Sequence, residues 1–371
     1  MHVAFDTLNV YYLPQYTPVL EELRRRGHEG SFVCYKNKND QRGFSAALEE
    51  LGAPVSWFGS EEEAARHYSE LHPEWIIFGS GFDLLDRLDE SIQSVQLGHG
   101  VGPKPSYYNK SNTPMSVRFI EGAARLKIIQ ERYPEGTFVQ SGFSKLDPLF
   151  NGTAEGLDLG SLGLNPERQT ILYAPTFNPS SIERFPSSWP NDFPEYNVLV
   201  KPHTFTYTRS AYRGQRKLLK AWERYPNTHV ATPGELSLLP YMHSADILLS
   251  EASSTLFEFA ALDRPVVVCD FFKLKWTYRG PFRYRFERRF RKGNITFDEI
   301  GVHASSYREL LRIIPEQLAS PEQYREQRTR YTFDHVGPTD GRCSGRIVDY
   351  LEENARSAPV ERESQGFLER R

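Results

Sequence analysis

A chain of 371 residues carrying 45 Lys and Arg against 48 Asp and Glu, for a net charge of −3, is too evenly balanced to be a general nucleic-acid binder. Its three cysteines, Cys34, Cys269 and Cys343, are far apart and lack CxxC spacing, which argues against a disulfide framework or thiolate metal site and fits a reducing cytoplasm. No stretch reaches the roughly 18 apolar residues that span a bilayer, and the opening MHVAFDTLNV has no basic segment followed by an apolar one, so a soluble or peripheral protein is expected.

In chain order, short apolar runs alternate with helical patterns from the start: HVAFD, TPVLEELRRRGH, GSFVCY, FSAALEELG, VSWFG, EEEAARHYSELH, EWIIFGS. Strands that are apolar almost throughout, separated by amphipathic helices, predict a parallel sheet covered on both faces. The pattern continues through SVQLGHG, SVRFIEG and TFVQSG and fades in the glycine-rich stretch 151–168, read as a linker after a first domain over 1–150. A second series follows over 169–340: TILYAPTF, YNVLVKPH, the helical RGQRKLLKAWERY, HVATPG, ADILLS and RPVVVCD. A closing helix is expected over 341–356 and a disordered tail over 357–371. The fold class is therefore α/β, with two Rossmann-like domains facing across a cleft. Ligands of such sheets sit beyond the carboxyl ends of the strands.

The loops after strands carry the candidate chemistry. After ADILLS, Ser253, Ser254 and Thr255 stand at the start of a helix, where hydroxyls either cap the helix or add donors to a bound phosphate. Glu258, one turn deeper, suits ribose hydroxyls; equally it could be a solvated first-turn acid, or the capping-box partner of Thr255 as N-cap. His99, in LGHGVG, and His203, in VKPH, end strands in the two halves; each alone is a common turn residue, but together they would face one another across the cleft. One could act as general base while the other, with Lys201, stabilises phosphate charge. Gly98, Gly100 and Gly102 would let backbone approach a ligand. No HExxH, CxxC or strand-end DxD is present, so no metal or cofactor is expected.

LGHG, SGFSKLD, ILYAPTF, VKPH and ADILLSEASSTLFEFAALDRPVVV, in that order, resemble the CDP-glycerol glycerophosphotransferase family of teichoic acid synthesis, over about residues 94–268 and again in GPTDGRCSGRIVDYL. The resemblance implies a GT-B architecture. It also implies metal-independent transfer of glycerol phosphate, or a related alditol phosphate, from a CDP-activated donor to a hydroxyl of a lipid-linked or polymeric glycan, in teichoic acid-like or capsule polymer synthesis. It would make His99 the catalytic base, His203 the second essential histidine on donor phosphate, Ser253 and Ser254 the holders of the pyrophosphate, and Glu258 the ribose candidate. The chain departs from the family in having Glu251-Ala252 before the serine pair, where Asp-Tyr is common, and Val101-Gly102-Pro103-Lys104 after HG.

Residues 273–292 hold nine basic residues, Lys273, Lys275, Arg279, Arg283, Arg285, Arg288, Arg289, Arg291 and Lys292, against the single acid Glu287. Interleaved with Trp276, Tyr278, Phe282, Tyr284, Phe286 and Phe290, they are expected to meet an anionic membrane surface or a phosphorylated acceptor; a solvated loop is the plain alternative. The expected location is peripheral, on the cytoplasmic face of the cell membrane, with no nucleic-acid partner. Two other readings use the same frame: a sugar-nucleotide glycosyltransferase or UDP-GlcNAc 2-epimerase-like enzyme, and a non-catalytic membrane-associated protein.

Overall fold

The computed structural model describes residues 1–36, 41–102, 108, 115–251, 253–274, 278–286 and 299–355. Seven strands form the first sheet: β1 (His2–Thr7), β2 (Glu29–Tyr35), β3 (Val55–Phe58), β4 (Trp75–Phe78), β5 (Gln93–Leu97), β6 (Val117–Ile120) and β7 (Phe138–Gln140). Six form the second: β8 (Thr170–Tyr173), β9 (Asn197–Val200), β10 (Thr228–Val230), β11 (Ile247–Ser250), β12 (Val266–Cys269) and β13 (Val302–Ala304). The orders are 3-2-1-4-5-6-7 and 10-9-8-11-12-13, and neighbouring strands pair parallel throughout.

The apolar runs become central strands because helices cover both faces. Val3 and Phe5 of β1 point into one core with Tyr16, Leu20, Phe32 and Ile77, while Ala4 joins Val33, Ile76 and Phe78 on the other face. Each fully buried Val, Leu, Ile or Phe side chain stabilises the fold by roughly 1.5–3 kcal/mol. In the second sheet Leu172, Leu199 and Leu248 face one core, and Ile171, Val198 and Ile247 the other.

Residues 151–168 contain neither helix nor strand; Leu157, Leu159, Leu162 and Leu164 lie against the second domain's core. The last helix, Cys343–Glu353, returns to the first sheet. Its Cys343, Ile347, Val348 and Leu351 join that core, and Trp75 Nε1 donates to the Leu351 carbonyl at 3.2 Å. Asp147 fastens its start, accepting from the Cys343 and Ser344 N–H groups at 3.0 and 2.6 Å.

In each sheet the order reverses beside the first strand, between β1 and β4 and between β8 and β11. These two switch points define where a ligand fits an open parallel sheet.

Candidate functional site

At the switch point of the first sheet, His99 follows β5. Its Nδ1 lies 2.9 Å from the Gly79 carbonyl, which can only accept, so Nδ1 carries the proton and the neutral ring keeps its lone pair on Nε2. The rings of Tyr12 and Tyr11, from the loop after β1, lie 5.0 and 5.3 Å from the imidazole.

His203 follows β9 in the second sheet and has the opposite arrangement. Its Nδ1 accepts from the Phe205 N–H at 3.1 Å, as the N-cap of the short helix Thr204–Thr208, so the neutral ring carries its proton on Nε2. Phe177, from the loop after β8, and Phe205 flank the ring at 4.7 and 4.8 Å. The first imidazole is thereby set up to take a proton and the second to donate a hydrogen bond.

The glycines around His99 serve protein contacts as well. A Cβ on Gly98 would lie 2.7 Å from Glu121 Oε1, and one on Gly102, whose φ is +95°, would lie 2.8 Å from the Phe257 ring. Phe257 belongs to the helix Ser254–Ala260 of the second domain, so the His99 loop abuts the serine corner. Arg125, ion-paired with Glu121 in the interior, donates to the carbonyls of Gly100 and Gly102 at 3.2 and 2.9 Å. His335 lies 5.1 Å from Phe257, ring to ring; burial pushes its pKa down to about 4, with the Arg125 charge adding to the fall and Asp334 opposing it.

At the serine corner, Ser253 is the N-cap, its Oγ accepting from the Thr255 N–H at 3.3 Å and lying 3.2 Å from Thr255 Oγ1. Ser254 is the first helical residue. The capping box of Thr255 with Glu258, and the solvated first-turn acid, are both corrected: Glu258 is 2 % exposed and lies inside the helix, too deep to cap it. Its Oε2 is 2.6 Å from the Nζ of Lys145 in the first domain. Lys145 lies in the SGFSKLD stretch, where nothing local signals this partner.

Lys201, at the end of β9, lies near Lys145. Burial pushes its pKa down to about 8, Glu235 opposing the fall and the Lys145 ammonium adding to it. Its Nζ lies 5.8 Å over the Tyr241 ring. Glu235 accepts from the Tyr241 hydroxyl and from the Thr232 N–H at 2.6 Å, with His229 Nε2 at 3.1 Å. Burial alone would raise its carboxyl, but these bonds outweigh it and hold the pKa at about 2.

Glu251, which stands where the family commonly has Asp, has a structural role that its sequence position does not signal. It is 1 % exposed, accepts from the N–H groups of Thr176 and Ser181 at 2.6 and 2.7 Å, and is bonded by the Ser181 hydroxyl. One buried carboxylate thus joins the serine corner to the loop that carries Phe177 onto His203. Burial raises its pKa to about 7 against the lowering by the Ser181 and Thr176 bonds.

Of the basic segment, Lys273, Arg279, Arg283 and Arg285 are described and exposed. Lys273 forms an antiparallel bridge with Ser180, and the Arg285 guanidinium lies 4.8 Å over Phe282. Lys275, Arg288, Arg289, Arg291 and Lys292 lie outside the described residues. Among the described residues no helix is long and apolar enough to cross a membrane.

Against this geometry, a family model described as CDP-glycerol:poly(glycerophosphate) glycerophosphotransferase matches residues 126–353. Among solved structures, the wall teichoic acid polymerase TagF is similar with a TM-score of 0.67 and 14% identity, over 95% of this chain and 88% of that chain. The UDP-GlcNAc 2-epimerase from Neisseria meningitidis, bound to UDP-GlcNAc, is similar with a TM-score of 0.61 and 13% identity, over 95% of this chain and 100% of that one. Both likenesses identify the same two-domain fold. No curated protein matches the sequence.

Proposed function

The chain belongs to the CDP-glycerol:poly(glycerophosphate) glycerophosphotransferase family and is a transferase of that kind, and from this premise we propose that it moves glycerol phosphate from CDP-glycerol to a hydroxyl of a lipid-linked or polymeric acceptor. The observation that carries this reading is the pair of histidines fixed in opposite tautomers by the Gly79 carbonyl and the Phe205 N–H.

The acceptor hydroxyl gives its proton to Nε2 of His99 and attacks the β-phosphorus in line. The bond from that phosphorus to the bridging oxygen breaks, and CMP departs with the electron pair. Nε2–H of His203, the Lys201 ammonium and the hydroxyls of Ser253, Ser254 and Thr255 meet the negative charge building on the diphosphate. Glu258 is the candidate for the ribose hydroxyls, with Lys145 held beside it. Positioning and fixed electrostatics supply the acceleration, and the positive charge comes from side chains, so transfer is expected to continue in EDTA. Lys273, Arg279, Arg283 and Arg285 contribute to an acceptor or membrane face at the cytoplasmic side of the bilayer.

Calorimetric titration with CDP, UDP and GDP in EDTA tests the donor assignment. Selective CDP binding, weakened by Ser254→Ala, is expected; a preference for UDP would move the chain to sugar-nucleotide chemistry.

A further inference from the structure

The helix Arg213–Trp222 buries Gln215, Leu219 and Trp222. Its opposite side presents Arg213, Lys217 and Lys220, and Arg224 follows just beyond its end, all four exposed. At about 100° per residue they fall within roughly a 60° sector, spaced about 4.5–6 Å along the axis. Some cations elsewhere are ion-paired: Arg26 with Glu22, Asp349 and Glu352, Arg312 with Glu316, Arg325 with Asp263, Arg346 with Asp340. Among the described residues none of Arg213, Lys217, Lys220 and Arg224 has an acidic partner. A row of unpaired cations along one helix face sets up a field that attracts a polyanion.

The segment leading into the helix packs on the rings beside His203. The Arg209 guanidinium lies 3.7 Å over Phe205 and 5.8 Å from Phe177, the two rings that flank His203. Arg216 Nη1, from within the helix, donates to the Thr206 and Arg209 carbonyls at 2.8 and 2.9 Å. The helix is therefore fastened to the His203 loop, and its charged face leads away from it.

We propose that this face is a docking track for a polyanion with regularly spaced phosphates, a strand of poly(glycerol phosphate) on the acceptor, a partner choice that rests on the transferase reading above. The axial spacing of the cations is comparable to the span of one glycerol unit between successive phosphodiesters. The face bears no exposed large apolar side chain, so it lacks the anchors with which an interfacial helix enters lipid. That favours a soluble polyanion over a membrane.

The test uses the full chain and a fluorescently labelled synthetic glycerol phosphate oligomer long enough to span the helix, with no donor present. Lys217→Glu/Lys220→Glu should weaken binding roughly tenfold or more at low salt, and the native affinity should fall steeply as salt is added. The variant's melting temperature and its transfer rate to a single-glycerol acceptor should match the native values, while KM for a long acceptor rises. Native-like oligomer affinity in the variant, or no native affinity, would overturn the proposal. So would loss of binding to phosphatidylglycerol-containing vesicles with oligomer binding retained, which would assign the face to the membrane. A chain that binds the oligomer in this variant-sensitive way but releases no CMP from CDP-glycerol would support the track and contradict the reaction.

Discussion

Lys145 of the first domain and Glu258 of the second form an ion pair at 2.6 Å, with 13% and 3% of their side chains exposed. It ties together two elements 113 residues apart directly behind the serine corner. Removing one partner leaves the other charge buried, at a cost of about 3 kcal/mol or more, whereas replacing both with apolar residues of similar size costs less. Chemical denaturation should therefore rank Glu258→Leu below Lys145→Met/Glu258→Leu in stability. Equal stabilities would mean that water already satisfies the isolated charge.

The serines divide their work. Ser253 Oγ is engaged with the Thr255 N–H, so Ser253→Ala should lower stability by about 1 kcal/mol through loss of the cap. Ser254 is not the cap, and Ser254→Ala should leave the melting temperature nearly unchanged while weakening CDP binding. Equal effects of the two substitutions on both readouts would contradict this division.

Glu251 should give the fold an unusual pH dependence. Its folded pKa, about 7, lies above the ordinary carboxyl value of 4.5, so between those values the native state holds a proton that the unfolded chain has released. Stability from this group is full below about pH 4.5 and is lost as pH rises through 7, by up to roughly 3 kcal/mol. Glu251→Gln should remove that slope in urea titrations at pH 5 and pH 8; a slope identical to native would show that Glu251 ionises in the folded state as it does in the unfolded chain.

His335 should act in the opposite direction. Its folded pKa of about 4 lies below the ordinary 6.5, so its contribution is present above about pH 6.5 and is lost as pH falls through 4, by up to roughly 3 kcal/mol. Replacement by Gln should flatten the acid limb of the stability curve. An unchanged limb would place the acid sensitivity elsewhere.

The architecture was legible because parallel strands covered on both faces must be apolar throughout. HVAFD, EWIIF, ILLS and VVVC became central strands where the run predicted them. The histidines and the serine corner were legible because strand ends are few and each carries a short polar signature. Glu251 and Lys145 were not legible in role, since their partners are 70 and 113 residues away and no local period marks such a pair. The packing of residues 334–337 against residues 121–122 was also hidden. Gly122 and Gly337 leave room for the Asp334 and Glu121 carbonyls respectively, a fit between chain segments that sequence spacing does not encode.

The most direct measurement of the central claim is CMP release from CDP-glycerol, with acceptor extension followed in parallel, by the native chain, His99→Asn and His203→Ala. The account predicts matched release and extension by the native chain, and loss of roughly 10²–10⁴ in rate for His99→Asn with its CDP affinity unchanged. A native rate in His99→Asn would contradict the assignment of His99 as the base and, with it, the division of labour between the two histidines.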